Sequence, residues 1–233
     1  MKKKKKKVLT VIATIAIMCI TLTGCGAKMA PADETISALF ELTAKSNAAP
    51  MKDLLGFTSE EDVYNTFFEE GSDTKMIDEL RSQFAEAGIE LSDEEIQEYT
   101  DSMMATFGKI NYSSEITSES SDQIVVTLEV YGYFASDLYQ VSADAQSKML
   151  ERISEDDQIA VMAGDTEILS KYMQQYFEEY LAGLSTLKLS TEPVKITVNC
   201  EKLAVDVNGK ETVAWLPSDM NKFSKDIEAA IFQ

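Results

Sequence analysis

Tyr172, Tyr176 and Tyr180 are spaced so that, on a helix, their rings stack along one face. Each offers an apolar ring with a polar tip, which suits binding better than reaction. A helix packed on a sheet with its hydroxyls at the rim has the same spacing, so both readings stay open. If the face lines a pocket, Tyr131, Tyr133 or Trp215 stands opposite. Cys200 ends the run Val194-Lys195-Ile196-Thr197-Val198-Asn199-Cys200 on the parity of the apolar residues, which reads as a buried thiol and not a nucleophile. The chain contains no histidine. That excludes Ser-His-Asp and Cys-His hydrolases and His-bearing zinc sites. Catalysis here would need carboxylates, tyrosine, lysine or a carboxylate-bound metal. The acidic runs Glu60-Glu61-Asp62, Asp93-Glu94-Glu95 and Glu155-Asp156-Asp157 lack the residue order of a calcium loop. With 40 acidic residues, no pair can be singled out for glycoside hydrolysis. No catalytic residue, metal ligand or cofactor is assigned.

The N-terminal segment carries a different chemistry. Lys2 to Lys7 precede an uncharged stretch from Val8 to Thr23, and small residues lead to Cys25. Basic, apolar and small-residue regions in that order are those of a secretory signal peptide. The ending Leu22-Thr23-Gly24-Cys25 resembles the lipobox of bacterial lipoproteins. That resemblance implies diacylglycerylation of the Cys25 thiol and cleavage before it. Residues 1–24 are then the signal peptide and 25–32 a lipid-attached tether. Acyl chains, palmitate among them, would hold the chain to the cell membrane on its extracytoplasmic face, and two chains make such an anchor stable. The rival reading, an uncleaved anchor, has a stretch short of the roughly 20 apolar residues a spanning helix needs.

Charge narrows the partners. Six of the 21 basic residues fall in the signal segment, leaving 15 basic against 40 acidic side chains. Nucleic acid, which needs a basic footprint, is excluded as a partner. An anionic bilayer would repel the folded part. Cys19 and Cys25 lie at the N-terminus, so Cys200 has no intramolecular disulfide partner in the mature chain.

Apolar periodicity places the elements. Ile36, Leu39 and Phe40 predict a helix over 33–46, broken at Asn47 to Pro50. Thr58-Ser59-Glu60-Glu61 has a capping-box pattern, and Val63, Tyr64, Phe67 and Phe68 follow it to Gly71. Met76, Ile77, Leu80 and Phe84 mark another helix, ending at Gly88. Ser92 opens a second box before Ile96, Tyr99, Met103 and Phe107. Alternation then gives a hairpin: Ile110, Tyr112, Ser114 and Ile116, a loop over 118–122, and Ile124, Val126, Leu128 and Val130. Helices are expected over 136–153 and 166–187. In the next strand the apolar parity changes between Cys200 and Leu203, which a bulge near Glu201-Lys202 would reconcile. Asn208-Gly209 is a hairpin turn, and Ser218 is expected to cap a last helix.

Strands grouped apart from helices predict an α+β fold: an antiparallel sheet of about four strands, in two hairpins, covered by helices. Residues 33–233 are expected to form one extracytoplasmic domain. The lipobox, Ala32-Asp33-Glu34-Thr35-Ile36-Ser37-Ala38-Leu39-Phe40, Ser59-Glu60-Glu61-Asp62-Val63 and the Asn208-Gly209-Lys210 turn leading to Trp215 resemble a family of small Gram-positive lipoproteins. The resemblance implies a domain of unknown function loosely like the cystatin or nuclear-transport-factor-two folds, and transfers no catalytic residues. The expected function is non-enzymatic binding of a ligand or envelope protein. The alternatives are a carboxylate- or tyrosine-based enzyme in a nuclear-transport-factor-like pocket, or a structural envelope component.

Overall fold

The computed structural model describes residues 29–68, 78, 81, 82, 85 and 92–233. The signal segment, Cys25, Gly71 and the apolar positions of the helix expected over Met76–Phe84 lie outside the described residues. The elements are α1 (Ala32–Lys45), α2 (Ala49–Leu55), α3 (Glu60–Phe67), α4 (Asp93–Phe107), β1 (Asn111–Glu119), β2 (Gln123–Tyr131), α5 (Ala135–Arg152), α6 (Glu155–Met162), α7 (Thr166–Leu184), β3 (Val194–Val207), β4 (Lys210–Pro217) and α8 (Met220–Ile231). The strands form one open antiparallel sheet in the order β1-β2-β3-β4. The fold is α+β.

The described residues divide into two compact units. One draws on the described residues within Met1–Ser72, Ser114–Thr127 and Thr197–Asp226, the other on those within Asp73–Ser113, Leu128–Ile196 and Ile227–Gln233.

In the first unit, α1 packs against β4 and α2. Ile36, Leu39 and Phe40 are fully buried on one face of α1, as their spacing predicts, and each contributes about 1.5–3 kcal/mol. Ser46 ends α1 in the left-handed region at φ 51°. The expected break falls at residues 46–48, and Ala49 and Pro50 already begin α2, because proline in a first helical turn gives up only an N–H that has no intrahelical partner. The capping box of α3 falls one residue later than Thr58-Ser59-Glu60-Glu61 suggests: Ser59 and Asp62 satisfy each other's backbone N–H groups. That helix stops at Phe67, short of Gly71, where Phe68 turns extended.

Asn208 and Gly209 both have positive φ, 56° and 75°, as a tight hairpin turn requires. Asn208 does more than turn the chain. Its side chain accepts a hydrogen bond from the Thr58 N–H and donates to the Gly56 carbonyl, both at 3.0 Å.

The expected bulge at Glu201-Lys202 is absent from the β3–β4 ladder. Pairing runs one to one from Cys200↔Pro217 to Val207↔Lys210. The buried side of β3 changes instead: Val198 and Cys200 are buried on one parity, Val205 and Val207 on the other. Lys202 makes this tolerable. Its ammonium lies 4.9 Å from the Trp215 ring centre and donates to the Ser121 carbonyl at 2.8 Å, so an exposed lysine covers the indole. Asp219, not Ser218, caps α8, since its carboxylate accepts from the Lys222 N–H at 2.9 Å.

In the second unit, α7 packs against α4, α5 and α6. The capping box at Ser92 and Glu95 opens α4 as expected. The C-terminal residues run beside Gly132 and Tyr133: the Tyr133 N–H donates to Ile231 at 2.7 Å, and the Gln233 N–H donates to Tyr133 at 2.8 Å. Gly132 is required there, because a Cβ would sit 2.2 Å from the Ala230 carbonyl oxygen. Helix α6 was not foreseen as an element. Its acidic run Glu155-Asp156-Asp157 sits in a first turn capped by Ser154, where negative charge offsets the helix dipole.

Candidate functional site

Helix α7 carries the tyrosine stripe, and Asp165 caps it by accepting from two backbone N–H groups at 3.1 Å. Tyr172 is buried. Its hydroxyl donates to the Asp157 carboxylate of α6 and lies 3.2 Å from the Arg152 carbonyl of α5. That hydroxyl, more than any other neighbour, holds the Asp157 carboxyl below its ordinary range, and Ser154 and Lys171 add to the effect. Tyr172 is raised in turn, chiefly by the same bond. The Lys171 ammonium lies 3.8 Å from Asp157 and 4.9 Å from the Tyr172 ring centre.

Tyr176 and Tyr180 are half-buried. Their rings stack at 6.1 Å with planes 15° apart. The Tyr176 hydroxyl lies 3.0 Å from the Ser142 hydroxyl of α5. Burial, with Tyr99 and Tyr176 nearby, pushes Tyr180 up to about 12. Tyr99 of α4 is raised as well, first by burial and then by Tyr176, and its ring lies 5.3 Å from Phe177. Three phenols, Tyr99, Tyr176 and Tyr180, therefore converge. The sequence placed Tyr99 on an apolar helix stripe, but a partner on another helix leaves no local signal. The Gln175 side-chain oxygen is buried there with no hydrogen-bond partner among the described residues. Glu179 binds Lys148 at 2.8 Å and Arg152 at 2.6 Å, and these two cations lower its carboxyl below the usual range.

Of the residues considered as facing the stripe, Tyr133 and Trp215 have their own partners. Tyr133 is buried and its hydroxyl donates to the Thr106 carbonyl at 2.7 Å. Tyr131 is half-buried. Trp215, in the other unit, lies beneath Lys202.

The phenols of Tyr99, Tyr133, Tyr172 and Tyr180 are shifted upward, so each stays a neutral hydroxyl at physiological pH. The displaced carboxylates Glu95, Asp157 and Glu179 are all shifted downward. Among the described residues no group of three His, Cys, Asp or Glu side chains is placed to hold a metal ion. No helix among them is long and apolar enough to cross a membrane.

Large exposed apolar side chains are concentrated in one stretch. Phe134, Tyr139, Leu150, Ile159 and Met162 are exposed, reaching 61% at Ile159 and 80% at Met162. Ile116 is the other such residue among those described. Helix α6 buries no residue at all. The first unit has a small, shallow cleft of about 40 Å³ beside β3, β4 and the start of α8. Its charges are already engaged: Lys222 pairs with Asp226, and Asp219 caps the helix.

No protein-family profile matches the chain, and no curated protein does. Its fold is similar to the crystal structure of a candidate lipoprotein (ycdA) from Bacillus subtilis, with a TM-score of 0.50 and 14% identity. The match covers 87% of this chain and spans 56% of the length of that one. At that identity the likeness is one of fold.

Proposed function

We propose that this chain is a lipid-anchored extracytoplasmic protein whose folded part binds a protein partner and catalyses no reaction. The anchor is Cys25, on the strength of the lipobox-like ending of its signal segment. The fold neighbour, itself described as a candidate lipoprotein, supports that reading. The observation that carries the binding role is the run of exposed apolar side chains from Phe134 to Met162. Ile159 and Met162, one turn apart on α6, form an exposed apolar patch of the kind that marks interaction surfaces.

The tyrosine face of Tyr172, Tyr176 and Tyr180 supports this surface from behind. It joins α7 to α5 and α6 through Ser142, Arg152 and Asp157. A photo-cross-linking residue at Met162 of the full chain, in its native membrane, tests the proposal. We expect a discrete protein adduct from Met162 and none from the same residue at Glu201. Equal labelling from both positions, or none from Met162, would remove the binding surface from the account.

A further inference from the structure

Exposed apolar side chains do not by themselves say what covers them, but the charges around them restrict the choice. The bases between Phe134 and Lys171 are Lys148, Arg152 and Lys171. Each is already paired, the first two with Glu179 and the third with Asp157. Glu151, Glu155, Asp156 and Glu167 are exposed and make no ion pair among the described residues. The uncompensated charge of this stretch is therefore negative. It flanks Leu150 at the end of α5 and Ile159 and Met162, which share a face of α6 at i and i+3.

Helix α6 makes the case stronger. Most helical stability in proteins comes from burying an apolar face. This helix turns Ile159 and Met162 outward, leaves Ala160 and Val161 only half-buried, and is tied to α7 through Asp157. A second copy would bring the same unpaired acids against themselves. An anionic bilayer would meet like charge. A segment with apolar residues on one side and lysine or arginine on the other meets neither penalty, and it satisfies both halves of the surface.

We infer that the α5–α6 surface docks a cationic amphipathic segment of a partner protein. Leu150, Ile159 and Met162 are its apolar anchors, and Glu151, Glu155 and Asp156 form its acidic rim. The inference rests on the partner-binding reading above and adds the partner's chemistry.

The test uses the full chain in neutral-lipid nanodiscs and three synthetic peptides. One is amphipathic with leucine opposite lysine, one has glutamate in place of lysine, and one has serine in place of leucine. The leucine–lysine peptide is expected to bind more tightly than either other peptide, and more weakly as salt rises. Ile159→Ser/Met162→Ser should weaken it by about tenfold or more. Glu151→Gln/Glu155→Gln/Asp156→Asn should weaken it and flatten its salt dependence. Glu201→Gln/Glu211→Gln, which removes acids in β3 and β4, should leave it unchanged. Circular dichroism confirms that each variant is folded. Equal weakening by the β3–β4 variant, or no effect of the apolar pair, would overturn the inference. So would self-association of the full chain that the apolar pair abolishes. If Met162 cross-links persist in the membrane while the peptides show no charge preference, the binding surface stands and the cationic partner falls. If neither signal appears, both fall.

Discussion

At Cys200 the side chain is wholly enclosed, and its ionisation is pushed up from 9.0 to about 12 because a thiolate there would lose its water. The folded value lies above the unfolded one. Its contribution to stability is therefore complete below the ordinary thiol range and is lost as pH rises from about 9 towards 12. The native thiol should stay unlabelled by a thiol reagent at pH 9 and react fully in denaturant; rapid native labelling would place it on the surface. Cys200→Ser should cost about 1–3 kcal/mol, since a hydroxyl would enter an apolar site. Tyr172 and Tyr176 separate in the same kind of experiment. Tyr172→Ala removes a buried ring and should cost about 3–5 kcal/mol in urea unfolding. Tyr172→Phe, which keeps the ring and removes the hydroxyl's bonds to Asp157 and the Arg152 carbonyl, should cost about 1 kcal/mol. It should also let the Asp157 carboxyl rise towards its ordinary range, visible by NMR titration. Tyr176, half-buried, should tolerate Ala better than Tyr172 does; the reverse order would mean that the stripe packs by its other end.

Between elements, the tightest constraint on the α5–α7 pair is Gly183. A Cβ there would lie 2.5 Å from Val141 Cγ1. Gly183→Ala should therefore destabilise by about 1–3 kcal/mol through overpacking, and Val141→Ala in the same chain should recover part of the loss. Additive losses in that cycle would show that the two helices do not meet there. The helix starts make an easier comparison: Ser59→Ala and Ser92→Ala each remove a capping box and should cost about 1 kcal/mol. Because a cap is local, the box at Ser92 was legible in the sequence, the one at Ser59 to within a residue, and so was the turn at Asn208-Gly209. The apolar faces of α1, α4 and α7 were legible for the same reason. What escaped was set by context. Pro50 reads as a break until a helix is seen to start on it. The acids of α6 read as a charge run because that helix buries nothing to give it a period. The parity change in β3 has no bulge against β4 because covering one strand on different sides at its two ends is a tertiary arrangement. The convergence of Tyr99 with Tyr176 and Tyr180 was invisible for the same reason.

For the whole molecule, a net charge of −19 makes solubility cheap and self-association costly. It also gives the α5–α6 surface a long-range preference for cationic partners, strongest at low salt. Where that preference operates depends on Cys25, since a tether of a few residues would hold the folded part close to a membrane. The intact mass of the protein extracted from membranes tests this most directly. The account predicts a chain that begins at Cys25 and carries a diacylglycerol, and a Cys25→Ala variant that remains a full-length, unmodified precursor. A chain still beginning at Met1, or a mature chain whose Cys25 carries no lipid, would contradict it.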